Sequence, residues 1–139
     1  IKVRRARNNS RMLSSDVSAG FDPNYPSVME KNNSAFLGKG LTFNKYTGSG
    51  GKGGTSDASA EFMGRIRSLL DKKKVLWQVG ELGKVDGGGG GTVAKYIANM
   101  NVDVVDVGVP VLSMHAPFEV VSKIDVYMAY RAFYEFFKD

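Results

Sequence analysis

Apolar and polar positions change period several times along the chain, and each change marks an element. Residues 102–112 hold an almost unbroken apolar run, with Val104, Val105, Val107, Val109, Val111 and Leu112 in it. A run so rich in β-branched residues predicts a strand buried on both faces. It passes through Gly108 and Pro110 and leads to His115. Shorter strands are predicted at 11–16, around Met12 and Leu13, and at 41–46 and 75–79. Phe62, Met63, Ile66, Leu69 and Leu70 recur at helical spacing, so a helix capped by Ser56 or Asp57 is expected to end near Lys73. Val93, Tyr96, Ile97 and Met100 predict another helix, starting at Thr92. A last helix is predicted from Pro117, a residue suited to the first helical position, to about Phe137. Its stripe is Val121, Ile124, Met128 and Phe133, widened by Tyr127, Tyr130, Phe136 and Phe137, and so should be well buried. Glu119 would fall in its first turn, where the helix dipole favours a carboxylate. Residues 1–10 read as a loop or strand edge, 17–39 as a long irregular connection, and 47–56 as a glycine-rich loop. Strands alternating with helices give an α/β fold class: a mixed, mostly parallel sheet flanked by helices.

A chain of 139 residues is one domain's worth. It has no cysteine, which excludes a disulfide framework and a thiolate zinc site. No segment is long and apolar enough to cross a membrane and no signal peptide is visible, so a cytoplasmic protein without a membrane partner is expected. The net charge of +5 is concentrated at Lys2, Arg4, Arg5, Arg7 and Arg11 and at Lys72, Lys73 and Lys74. No aromatic residue is interleaved among the early arginines to stack a base, so a solvated basic face is favoured over a nucleic-acid partner.

Two arrangements can carry chemistry. His115, the single histidine, lies just beyond the carboxyl end of the buried strand, the edge at which open α/β sheets bind ligands. A lone histidine is more often a residue satisfied by one hydrogen bond. Asp16 sits at another predicted strand end, and both side chains are donors suited to zinc. Two ligands do not make a catalytic zinc site, which takes three and a water. Glu81, Asp86 and Glu119 are spare carboxylates, but spacing selects none of them. The second arrangement is the glycine run 87–91, between a strand and a helix. Its backbone N–H groups could cradle an anion or approach a ligand closely, or the run could be a flexible surface loop. It matches neither nucleotide-binding glycine pattern. Ser113 lies in no nucleophile elbow.

Several segments together resemble one family. They are Met-Leu-Ser-Ser-Asp at 12–16, Phe-Asp-Pro-Asn-Tyr at 21–25, Lys-Tyr-Thr-Gly-Ser-Gly-Gly at 45–51 and Ser-Asp-Ala-Ser-Ala-Glu at 56–61. Trp-Gln-Val-Gly-Glu-Leu-Gly-Lys-Val-Asp at 77–86 leads into the glycine run, and Val-Pro-Val-Leu-Ser-Met-His-Ala-Pro-Phe-Glu occupies 109–119. In order and nearly end to end, these resemble the aspartyl aminopeptidase and vacuolar aminopeptidase I family of dinuclear zinc exopeptidases.

The resemblance implies a zinc-exopeptidase-like catalytic domain in which two zinc ions, replaceable by cobalt or manganese, activate a water against a peptide substrate. Asp16 would ligate one ion and His115 the other. Lys45 would help hold substrate, and Gly89, Gly90 and Met114 would line the wall beside it. The family pattern is several times longer, so residues 1–139 match the C-terminal portion of a metallo-aminopeptidase catalytic domain. The remaining ligands and the general-base glutamate have no counterpart in this sequence, and this chain alone is expected to be inactive. The family also implies a homo-oligomer, a tetrahedral dodecamer. The competing expectation is a non-enzymatic anion- or nucleotide-binding α/β module built on the glycine run.

Overall fold

A computed structural model describes residues 1–49, 53–84 and 86–139. Along the chain run α1 (Lys2–Asn8), β1 (Arg11–Ala19), two 3-10 turns (Pro26–Val28 and Lys31–Asn33), β2 (Leu41–Asn44), β3 (Tyr46–Ser49) and β4 (Gly53–Asp57). Then come α2 (Ala60–Lys72), β5 (Trp77–Val79), α3 (Ala94–Ala98), β6 (Asp103–Leu112), β7 (Val120–Val121) and α4 (Lys123–Phe136). The main sheet has the order β1-β6-β2-β5, with β7 on the end of β6. β1 and β6 pair in parallel from Arg11↔Asp103 to Ala19↔Val111. β2 runs antiparallel to β6 and parallel to β5, so the sheet is mixed. The valine run is the interior strand that its composition predicts.

The two faces of this sheet differ in chemistry. Leu13, Val105, Val107, Leu41 and Phe43 pack against Phe62, Met63, Ile66 and Leu70 of α2 and Ala129 and Ala132 of α4. α2 begins at Ala60, just ahead of its apolar repeat, because Ser59, not Ser56 or Asp57, caps it by accepting the Phe62 N–H at 3.2 Å. The opposite face carries Ser14, Ser18, Thr42, Asn44 and Asp106, all buried. Buried polar groups need partners, and those partners build the candidate site.

Several predicted elements are revised. Residues 1–10 are not a loop or strand edge: Lys2–Asn8 forms a helix with no buried residue, made of good helix formers. The 41–46 strand breaks at Lys45, and the expected glycine loop becomes the hairpin β3–β4, pairing Tyr46 with Asp57 and Thr47 with Ser56. Glycines hide the alternation that would have marked it. The expected residues 50–52 lie outside the described ones. α4 starts after Ser122 rather than at Pro117, because Val120 and Val121 extend the sheet by pairing with Leu112 and Val111. Its buried positions are Asp125, Ala129 and Ala132, while Ile124, Tyr127, Tyr130 and Phe137 are exposed, so the stripe is not the well-buried one expected. Asp125 is wholly buried, and its two carboxylate oxygens accept the N–H groups of Gly38 and Gly40, each at 2.7 Å. That clamp ties α4 to the turn that feeds β2. Among the described residues, no helix is long and apolar enough to cross a membrane.

Candidate functional site

His115 follows the end of β6 in a tight turn closed by the Ala116 N–H on the Ser113 carbonyl at 3.0 Å. Ser113 and His115 both adopt left-handed backbone, with φ of 58° and 69°. Each costs of order ~1 kcal/mol for a residue other than glycine, and such strain concentrates at functional sites. Glu119 secures the turn, its Oε1 accepting the His115 backbone N–H at 2.6 Å. The expectation that Glu119 complements a helix dipole therefore fails; it caps this loop instead. The His115 imidazole is exposed and makes no hydrogen bond among the described residues. Met114, between the two strained residues, is half-buried.

Asp16 lies within β1 rather than at its end, in register with Gly108 of β6. Its side chain is exposed, and Oδ1 accepts the Val17 N–H at 2.7 Å. A Cβ at position 108 would stand 2.1 Å from the Asp16 carbonyl oxygen, so only glycine lets β1 lie this close. The side chains of Asp16 and His115 thus project from the neighbouring strand systems β1 and β6, each an accessible oxygen or nitrogen donor of the kind zinc takes. The donor chemistry fits zinc, one ligand from each residue. Among the described residues no group of three or more histidine, cysteine or acidic side chains converges.

Lys45 sits at the break between β2 and β3, and its ammonium is ion-paired with Asp57 on the far strand of the hairpin. The glycine run lines a different feature, a cavity of about 20 Å³ between the hairpin and residues 81–90, with Tyr46, Thr47, Gly48, Glu81, Gly89 and Gly90 in its wall. That is room for about one water. Neither Asp16, His115, Lys45 nor Met114 lines it. Tyr46 donates its hydroxyl to Glu81 Oε1 at 2.5 Å, and Gly48 and Gly90 bridge backbone to backbone across the cavity.

The glycines of the run are not equivalent. A Cβ at Gly88 would lie 2.7 Å from both the Leu82 carbonyl oxygen and the Lys84 nitrogen, whereas at Gly90 it would meet only the Leu82 Cδ1 at 3.2 Å. Gly90→Val in the intact protein is therefore expected to leave the melting temperature nearly unchanged while lowering kcat/KM about tenfold through lost backbone access. Gly88→Val should lower the melting temperature as well. Equal melting temperatures for the two variants, or unchanged kinetics for Gly90→Val, would contradict this assignment.

Sequence reasoning passed over Asp106. It lies in the apolar run of β6, 5% exposed, and its Oδ2 accepts the hydroxyls of Thr92 at 2.9 Å and Thr47 at 3.2 Å. Burial pushes its carboxyl above the usual range; the hydroxyls of Ser14, Thr92 and Thr47 pull it back, and the charge of Asp16 adds to the rise. A carboxyl raised by burial favours the folded state most while it is protonated. That contribution shrinks as pH climbs from the ordinary carboxylate range through the raised value. Among the described residues Asp106 Oδ1, Ser14 Oγ and Thr42 Oγ1 are buried outside ordinary hydrogen-bond geometry, so the Ser14 hydroxyl acts on Asp106 as a nearby dipole rather than through a formed hydrogen bond. The available signal was one acid inside a doubly buried strand, where a charge needs a structural reason.

Comparison with known proteins places these features in context. The family model described as aminopeptidase I zinc metalloprotease (M18) matches residues 2–137. A probable M18 family aminopeptidase 1 of Clostridium acetobutylicum is 60% identical over 127 residues, covering 91% of this chain and 27% of that protein. The crystal structure of aminopeptidase I from Clostridium acetobutylicum superposes with a TM-score of 0.93 at 57% identity, over 98% of this chain and 30% of that one. The M18 aminopeptidase structure from Thermotoga maritima gives 0.91 at 45% identity, over 95% of this chain and 29% of that one. The chain thus spans less than a third of the length of these relatives.

Proposed function

The chain belongs to the M18 family of aminopeptidase I zinc metalloproteases, and from that premise we propose that the intact protein removes N-terminal residues from peptides. Residues 1–139 are the C-terminal portion of its catalytic domain. The observation that carries this reading is the pair of accessible donors, Asp16 on β1 and His115 beyond β6, within a match that covers both. In this reading Asp16 and His115 each give one donor, to different ions of a zinc pair that cobalt or manganese can replace. Zinc, when bound, supplies Lewis acidity and brings a water toward a pKa of ~7.

This chain's own residues hold and shape. The turn from Ser113 to Ala116 holds the backbone that carries the imidazole beyond the end of β6, with Glu119 fixing the His115 N–H. Gly108 lets β1 close on β6 and so sets where Asp16 stands. Lys45, anchored by Asp57, offers positive charge to a peptide; Gly89 and Gly90 form a backbone wall beside the substrate, and Met114 meets it separately, from the His115 turn. The other ligands and the proton-shuttling glutamate come from outside residues 1–139. The working assembly is a homo-oligomer, the tetrahedral dodecamer that the resemblance implies.

The test is hydrolysis of a panel of aminoacyl chromogenic substrates by the intact protein, before and after chelation. Turnover lost on chelation and restored by zinc is the expected result. Turnover indifferent to chelation, or absent on every substrate at full zinc loading, would reject the proposal.

A further inference from the structure

The glycine run poses a physical problem that the proposed function does not solve. Consecutive glycines lose more backbone entropy on ordering than any other sequence, yet a substrate wall must be held in place to be worth anything in binding. The run has few side chains of its own with which to be held. Something outside it must fix its ends and its spacing from the opposing hairpin.

The hydrogen bonds around Asp106 do both. Thr92 follows the run directly, and its Oγ1 donates to Asp106 Oδ2 at 2.9 Å while accepting the Ala94 N–H at 3.3 Å, at the start of α3. Thr47 belongs to β3, on the opposite side of the cavity, and its Oγ1 donates to the same Oδ2 at 3.2 Å. The two hydroxyls are themselves 3.3 Å apart. One position after Thr47 and two before Thr92, Gly48 of the hairpin meets Gly90 of the run in a backbone bridge. Asp106 is carried by the innermost strand of the sheet, between Val105 and Val107, which are each 1% exposed. It is therefore held by a buried interior strand, and both walls are tied to a single oxygen of it.

We propose that Asp106 is a positioning residue for the substrate wall: through Thr92 and Thr47 it sets the separation and order of the glycine run 87–91 and the β3–β4 hairpin. The assignment of that wall to substrate rests on the proposed function; the tether itself does not. The sheet face where Asp106 lies also carries Ser14 and Asp16, since Ser14 pairs with Asp106 and Asp16 with Gly108. The wall and the Asp16 donor thus share one rigid reference, so a peptide held by the first is placed relative to the second.

The experiment compares Thr92→Val with Thr92→Ser in the intact protein, by hydrogen exchange and steady-state kinetics at matched zinc content. Valine has the shape of threonine without its hydroxyl, and serine keeps the hydroxyl. In Thr92→Val the amides of residues 87–91 should exchange about tenfold faster, the scale of one lost hydrogen bond to a buried carboxyl. KM should rise by a similar factor with kcat within about threefold. Thr92→Ser should restore both. Thr47→Val and Thr47→Ser repeat the test from the other wall and serve if Thr92→Val fails to fold, and Asp106→Asn, which keeps an acceptor oxygen, should be milder than Asp106→Ala. Exchange in the run that is the same for the valine and serine variants overturns the tether. A fall in kcat at constant KM overturns the positioning role. If the wild-type protein hydrolyses no aminoacyl substrate, the proposed function fails, and the exchange comparison still decides the tether.

Discussion

Replacing His115 with alanine in the intact protein is expected to lower peptidase turnover by more than ~100-fold, the upper end for residues that only orient a metal ligand. The reason is local and visible. The backbone spends strain at both Ser113 and His115 to project one imidazole beyond the end of β6, and that imidazole has no structural partner among the described residues. Its removal should therefore cost little stability, which separates the role from a structural one. Bound zinc, measured by emission spectroscopy, should fall in step with activity. Asp16→Ala should do the same, since its side chain is exposed and, among the described residues, accepts a hydrogen bond only from the adjacent Val17 N–H. Glu119→Gln should be mild, because the amide oxygen can still accept the His115 N–H. A His115→Ala protein with wild-type turnover and zinc content would remove His115 from the site altogether.

The largest effect on stability is expected at a position with no side chain. In Gly108→Ala the new methyl would stand 2.1 Å from the Asp16 carbonyl oxygen and 2.8 Å from its carbon. Ordinary overpacking costs ~1–3 kcal/mol because side chains can move aside. Here the obstacle is the backbone of the paired strand, so the cost should exceed that range. The longest ladder of the sheet, from Arg11↔Asp103 to Ala19↔Val111, would have to part near its middle. Ser18 of β1 also donates to Asn44 of β2 at 3.0 Å, across the strand that carries Gly108. Displacing β1 would break that buried bond too. The measurement is the thermal midpoint of the intact protein, with exchange of the β1 amides to place the damage. An alanine variant that melts with the wild type and keeps β1 protected would show that the strands can separate freely, contrary to this account.

These two residues also show what a linear reading can and cannot reach. His115 stood out because it is the single histidine and follows a buried strand, both visible without any fold. Gly108 stood in plain sight in the same run, but nothing local says that a carbonyl from β1 would press against it. The glycine run looked uniform in sequence, and only its folded neighbours separate Gly88, pressed against backbone, from Gly90, facing a side chain.

What the sequence by itself determined is what short-range periodicity encodes. The valine run is the interior strand, the Phe62 to Leu70 stripe is the buried face of α2, and the segments at 12–16 and 109–119 mark the family. These features depend on residues a few positions apart, where one side of an element faces the core. The tertiary structure alone decided which polar groups meet. Asp106 accepts from Thr47 and Thr92, Asp125 clamps Gly38 and Gly40, and Tyr46 meets Glu81. It also decided that Val120 and Val121 join the sheet and delay α4, because an open sheet edge outweighed a weak local preference for helix. Such pairings join residues far apart in the chain, and their stability comes from burying a polar group that must then find a partner. No local pattern carries that information; it exists only once the strands are side by side.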